Sequence, residues 1–201
     1  MGPTSSRRAF LACAGGLAAL ATFSVTGCHR PKILLYEGSG VRFQHLSTWT
    51  LSKAMPLGGG GGLVSFVGPD HALIEMASFG QGTHVSLEAF AATVAEKRAA
   101  KLDSQFSVGG VSVGGERGTS SSPAEAKICG ETTPGIQQRF TLSLLGVPVP
   151  HTAEFFMKVL GDRSVVFTTQ AADSHLVQAR AGWQIVFDSF ALSQHETSRT
   201  G

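Results

Sequence analysis

The chain of 201 residues has few cysteines, no long unbroken apolar run and little surplus of either charge. Each shortage excludes something. Its three cysteines include Cys13 and Cys28, both inside or bordering the N-terminal segment, so Cys129 stands alone in the remainder. An internal disulfide is therefore excluded, and with it the disulfide-stapled mini-proteins. The longest apolar stretch, Leu11 to Val25, is broken by Gly15, Gly16, Thr22 and Ser24. A stable span wants about 20 strongly apolar residues, so this is no membrane helix. Removing Arg7 and Arg8 from the 16 Lys+Arg leaves 14, equal to the 14 Asp+Glu. A balanced chain lacks the basic surplus that phosphate binding needs, which argues against nucleic acid as partner. With 42% hydrophobic residues and no glycine period, disordered and collagen-like classes are also excluded.

The N-terminus reads as an address. Ser6-Arg7-Arg8-Ala9-Phe10-Leu11 is a twin-arginine pattern ahead of the short apolar stretch. A charged start, an apolar middle and a small-residue end is the layout of an export signal. Val25-Thr26-Gly27-Cys28 resembles a bacterial lipobox. The resemblance implies cleavage before Cys28, a diacylglycerol on its sulfur and a further acyl chain, such as palmitate, on the new amino terminus. Several chains anchor stably, because each buried CH₂ contributes about 0.8 kcal/mol. The expectation is a signal over 1–27, removed, and a lipidated Cys28 with a tether over 28–32. A domain over 33–192 and a polar tail over 193–201 follow. His29 is not the aspartate linked to inner-membrane retention. In an envelope with two membranes, the expected place is the periplasmic face of the outer one.

Patterning over 33–192 predicts an α+β fold. Ile33–Tyr36, Val41–Phe43, Trp49–Leu51 (stopped near Pro56), Leu63–Val67 and Ala72–Phe79 read as strands. The five glycines of 58–62 lack the Lys-Ser/Thr of a phosphate-cradling loop and read as a hairpin connection. Ser86 to Leu102 is the clearest helix, with Leu87, Phe90, Ala91, Val94, Ala95 and Leu102 at helical spacing. Ser86 is its natural N-cap, and Val85 can staple onto Phe90. Phe106–Val113 is expected as a strand and Gly114–Pro123 as a mobile loop. Ala126–Cys129, Gln137–Leu145, Ala153–Val159 and Arg163–Thr169 read as strands. Pro134-Gly135, Val147–Pro150 and Gly161-Asp162 are the expected breaks. A second helix, Ser174 to about Leu192, buries Leu176, Ala179, Trp183, Val186, Phe187 and Phe190. Short hairpins give an antiparallel β-sheet packed by two amphipathic helices, in a single domain.

Gly40-Val41-Arg42-Phe43-Gln44-His45-Leu46-Ser47-Thr48-Trp49 resembles the opening of PsbP-like domains. Trp183-Gln184-Ile185-Val186-Phe187-Asp188-Ser189-Phe190 is similar to their closing helix, and the element order between also fits. The resemblance covers about 33–192. Bacterial members include envelope lipoproteins of the DcrB and LpqN types. It implies an adaptor or ligand-binding scaffold rather than an enzyme, and carries no common catalytic set.

Few residues offer chemistry. Gly110-Val111-Ser112-Val113-Gly114 fits the G-x-S-x-G pattern, with Asp162 and His175 following in hydrolase order. A nucleophile elbow needs a helix directly after it, and Gly115-Glu116-Arg117-Gly118 cannot start one. His71 and Glu75 share strand parity, with His84 beyond, but no His-x-x-His, His-Glu-x-x-His or paired-cysteine spacing exists. The other histidines are scattered. Trp49 and Trp183 are expected to cover the sheet and the closing helix rather than stack a ligand. Gly146-Val147-Pro148-Val149-Pro150-His151 reads as an inter-strand connection that could also dock a partner. Cys129, in an apolar setting, reads as a small buried hydrophobe. The reading that follows is a non-enzymatic, membrane-anchored binding or adaptor module without cofactor or metal. Its expected partner is an envelope protein or cell-wall component. The alternative is a small serine hydrolase or metal-binding enzyme using Ser112 or the histidines.

Overall fold

In a computed structural model, residues 31–80, 82–105, 107–108, 111–112, 114–144 and 147–193 are described. The expected signal, with Arg7, Arg8 and Cys28, lies outside them, as does the tail beyond Ser193. In chain order the elements are β1 (Ile33–Gly38), β2 (Val41–Leu46), β3 (Thr50–Leu57), β4 (Gly61–Val67) and β5 (Leu73–Phe79). Then come α1 (Leu87–Gln105), β6 (Ser107–Val108), β7 (Val111–Ser112), β8 (Gly114–Ile128), β9 (Glu131–Leu144) and β10 (Val147–Leu160). The last are β11 (Arg163–Ala172), α2 (Leu176–Ser189) and β12 (Ala191–Leu192).

One antiparallel sheet of seven strands, in the order β3-β4-β5-β11-β10-β9-β8, forms the centre. Two meanders meet where β5 pairs with β11. A second, three-stranded sheet, β1-β2-β12, joins α2 over one face, and α1 packs on the other across β8, β9 and β10. The period of two decides which residue meets which layer. On β10, Ala153 and Phe155 meet Leu87, Phe90, Ala91 and Val94 of α1, while Phe156 meets Trp183, Val186 and Phe187 of α2. Of the stripes read from the sequence, Ala91, Ala179, Trp183, Val186, Phe187 and Phe190 are buried and Leu87, Phe90, Val94, Ala95 and Leu176 half-buried, while the Leu102 side chain lies outside what is described. Phe43, Phe66, Phe167, Phe187 and Phe190 fill the α2 side through mostly edge-on ring pairs. Such pairs contribute about 0.5–1.5 kcal/mol beyond their burial. Ser86 caps α1, its Oγ accepting from the Ala89 N–H at 3.3 Å.

The strands run further than the punctuation in the sequence suggests. Gly114–Pro123 is not a loop but the first part of β8; Pro134-Gly135 lies inside β9, and Val147–Pro150 opens β10. Proline is excluded only where a strand has neighbours on both sides. Pro56 and Pro123 sit on the edge strands β3 and β8. Pro134 lies just past the last β9–β10 pair, Gly135↔Phe156. Pro148 and Pro150 precede the first β10–β11 pair, His151↔Ala172. Each proline thus has one side without a ladder to break. The Phe106–Val113 strand is instead a small hairpin of β6 and β7. The closing helix stops at Ser189, short of Leu192. Its Oγ accepts from the Gln44 N–H at 2.8 Å, and Ala191 then pairs with Arg42.

Candidate functional site

At one end of the α2 layer, four separate chain segments enclose an apolar cleft. Its volume is 270 Å³, and Pro31, Leu46, Thr48, Trp49, Pro69, Asp70, Ala72, His175, Gln178 and Ala179 line it. Trp49 follows the β2 strand in a tight turn, its N–H donating to the Leu46 carbonyl at 2.9 Å. Its indole is held between two glycines. A Cβ at Gly68 would stand 2.5 Å from Cε2, and one at Gly182 would stand 2.6 Å from Cζ2. The Gly68–Ala72 turn between β4 and β5 adds Pro69, Asp70 and Ala72 to the lining. The Gly68 N–H donates to the Ala72 carbonyl at 2.7 Å, and Asp70 (φ 54°) and His71 (φ 60°) both adopt left-handed backbone. Such conformations cost energy in a residue with a Cβ and persist only where the surroundings hold them. They swing Asp70 across to the head of α2, where its Oδ2 lies 3.2 Å from His175 Nδ1. Both side chains are partly exposed. Leu46, Trp49, Pro69, Ala72 and Ala179 can take up an apolar group, with the Asp70–His175 pair available at the rim for a polar end.

Sequence candidates fall into place as follows. His175 pairs with Asp70 rather than Asp162, which sits in the β10–β11 turn. Ser112 ends β7, and another strand, not a helix, follows it, so the nucleophile elbow is absent here. His71 lies in the turn before β5, off the ladder that carries Glu75, and His84 lies in the exposed connection to α1. Among the described residues no three His, Cys, Asp or Glu side chains are grouped to hold a metal. His45 is buried against Phe66, and His151 stacks on Phe140. Trp183 is a core residue, as expected, whereas Trp49 both covers the sheet and walls the cleft. His151 and the prolines before it belong to β10; Val147 at its start is exposed. Cys129 turns between β8 and β9, its Sγ donating to the Phe190 carbonyl at 3.3 Å. It is half-buried rather than the fully buried residue expected, and desolvation pushes its thiol above the ordinary range.

A second polar arrangement lies beneath α1. Arg98 donates through Nε and Nη2 to both Glu116 carboxylate oxygens at 2.7 and 3.0 Å. Its guanidinium carbon stands 3.6 Å from the centre of the Phe140 ring, whose other neighbour is His151. Burial pushes the Glu116 carboxyl up, but hydrogen bonds from Arg98 and Thr119 and the Arg98 charge outweigh it and hold it below the usual range. This pair ties α1 to β8.

No protein-family model matches the sequence, and no curated protein does. Solved structures do. The cyanobacterial PsbP of Synechocystis matches with 13% identity and a TM-score of 0.44, over 85% of this chain and 98% of that one. A Bacteroides thetaiotaomicron protein matches with 10% identity and a TM-score of 0.46, over 82% of this chain and 49% of that one. LpqN of Mycobacterium tuberculosis, described as involved in cell envelope biogenesis, matches with 11% identity and a TM-score of 0.37, over 82% and 91%. Scores of this size mark loose likenesses.

Neither Asp70 nor Gln178 stood out in the sequence. The only trace was the turn signal Gly68-Pro69-Asp70, and the partner of Asp70 lies more than a hundred residues away at the head of α2.

Proposed function

We propose that the chain is a non-enzymatic, PsbP-like envelope module, anchored by lipid on Cys28, whose cleft beside Trp49 holds an apolar group of its ligand or partner. The observation that carries this is the cleft itself. Its lining is mostly apolar, its polar groups are Thr48, Gln178 and the Asp70–His175 pair, and it has Pro31, three residues from Cys28, in its wall. A hydrolase would need a nucleophile beside a base, and the strand after Ser112 supplies no elbow for one.

Native mass spectrometry of the full-length protein, extracted gently from its own membranes, tests the reading. Expected is a diacylglyceryl increment on Cys28 and a small apolar molecule that is retained by the wild type. Thr48→Trp, which fills the cleft from an exposed position, should lose it. A stoichiometric metal, or a Cys28 without lipid, would sink this assignment.

A further inference from the structure

The first strand of the domain breaks the alternation that its neighbour keeps. On β2, Val41, Phe43 and His45 are buried and Arg42 and Gln44 exposed. On β1, Ile33, Leu34 and Leu35 are 57%, 45% and 56% exposed, so apolar side chains stand in solvent on both faces. Only Tyr36, opposite Phe43, turns its ring fully to use, against Phe43 and Phe66. A strand at the edge of a sheet with three consecutive exposed apolar residues is an unfinished surface.

Chain length says what finishes it. The Lys32 N–H donates to Ser47 Oγ at 3.1 Å, and the Lys32 carbonyl accepts from the Ser47 N–H at 2.7 Å, which pins the start of the domain to the β2–β3 turn. Cys28 precedes Ile33 by five residues, a reach of at most about 17 Å even fully extended. The intervening His29-Arg30-Pro31-Lys32 is basic, and the first acid after Cys28 is Glu37. Basic residues next to an apolar surface are the composition of a segment that rests on an anionic bilayer.

We infer that the Ile33–Leu35 edge lies on the membrane itself, with Lys32 at the anionic lipid headgroups and the three apolar side chains in the acyl boundary. The domain is then held at a fixed attitude, and the cleft wall at Pro31 opens at the bilayer surface. This rests on the lipid anchor at Cys28.

The test uses the lipidated full-length protein, carrying Cys129→Ser, in vesicles of phosphatidylcholine with phosphatidylglycerol. A nitroxide is placed by Leu34→Cys, in a second preparation by Leu35→Cys, and in a third by Val159→Cys, an exposed apolar position at the far end of the main sheet's β10–β11 hairpin. Collision with oxygen, which partitions into lipid, is compared with collision with a water-soluble nickel complex. Expected is an oxygen-to-nickel ratio at positions 34 and 35 severalfold above that at 159. The ratio should fall when phosphatidylglycerol is omitted. Equal ratios at 34, 35 and 159 on a lipidated protein would overturn this inference and leave the anchor standing. Shielding of 34 and 35 from both reagents would overturn it in favour of a protein covering the strand. A Cys28 that carries no lipid by mass spectrometry would overturn the inference and the anchor together.

Discussion

Gly182→Ala sets two effects of opposite sign against each other. Gly182 lies inside α2 and is buried. In an ordinary helix interior, alanine for glycine is worth about 0.8–1.0 kcal/mol of stability. Here the new Cβ would fall 2.6 Å from Cζ2, 2.8 Å from Cε2 and 2.9 Å from Nε1 of Trp49. The indole is rigid and cannot step back, because a Cβ at Gly68 would already stand 2.5 Å from Cε2 on its own account, so that backbone is in contact too. Overpacking of a well-filled core costs about 1–3 kcal/mol, and a ring held between two backbones belongs at the upper end. Subtracting the helix gain leaves a net loss of about 2 kcal/mol. For a chain of this size that is a fall in Tm of about 4–8 °C. Thermal unfolding followed by near-ultraviolet circular dichroism reads it. In a Trp49→Leu background, itself less stable for the loss of a buried aromatic, Gly182→Ala should cost little or nothing, since the smaller side chain leaves room for the methyl group. A Gly182→Ala protein with a raised Tm would refute the clamp, because helix propensity alone would then have acted.

Three further outcomes concern the half-buried carboxylates Glu116 and Glu75. Arg98→Met leaves the Glu116 carboxylate without its cation and should cost about 3–5 kcal/mol, while Arg98→Met with Glu116→Leu should recover most of it in denaturant titrations. Because Glu116 is held below the ordinary carboxylate value of 4.5, its pair contributes fully above that pH and is lost as pH falls through the lower folded value. The acid limb of the stability curve should therefore be flatter in Glu116→Gln. Glu75 behaves oppositely. Burial pushes its carboxyl up against the lowering effect of Lys53, so stability falls as pH rises from 4.5 through the higher folded value. Glu75→Gln should raise Tm at neutral pH and show no gain below 4.5.

The parts of this fold that could be read in the sequence are those whose period is set by one neighbouring layer. Both helices came from the spacing of Leu87, Phe90, Ala91 and Val94, and of Ala179, Trp183, Val186 and Phe187, since a helix on a sheet has one buried stripe. The hairpins about the five glycines and about Gly68-Pro69-Asp70 followed from turn chemistry. The strand ends did not. Whether Pro134 or Pro148 stops a strand depends on whether another strand flanks it there, and that is a fact of long-range pairing. β8 was hidden by its serines and glycines for the same reason. At the sheet edge it needs little apolar surface, and its register with β9 supplies the bonding. The cleft was the least legible part. Its walls meet only after β2, the β4–β5 turn and the head of α2 have been brought together by a core whose residues lie elsewhere.

That construction separates what holds the cleft from what it can select. Trp49 is fixed by Gly68 and Gly182, and Ala72 and Ala179 are buried in the same core, so changes at these positions are felt first as stability. Thr48, Asp70, His175 and Gln178 line the same space from turns and a helix start, where substitution leaves the aromatic core untouched. Rigid scaffolds with replaceable loop residues at one end are how one fold serves many ligands. The left-handed backbone at Asp70 and His71 fits this division. Glycine at position 70 would relieve strain at no packing cost, yet the aspartate is what reaches His175. The turn thereby keeps Asp70 at the mouth of the apolar cleft, where the ligand proposed above would meet it.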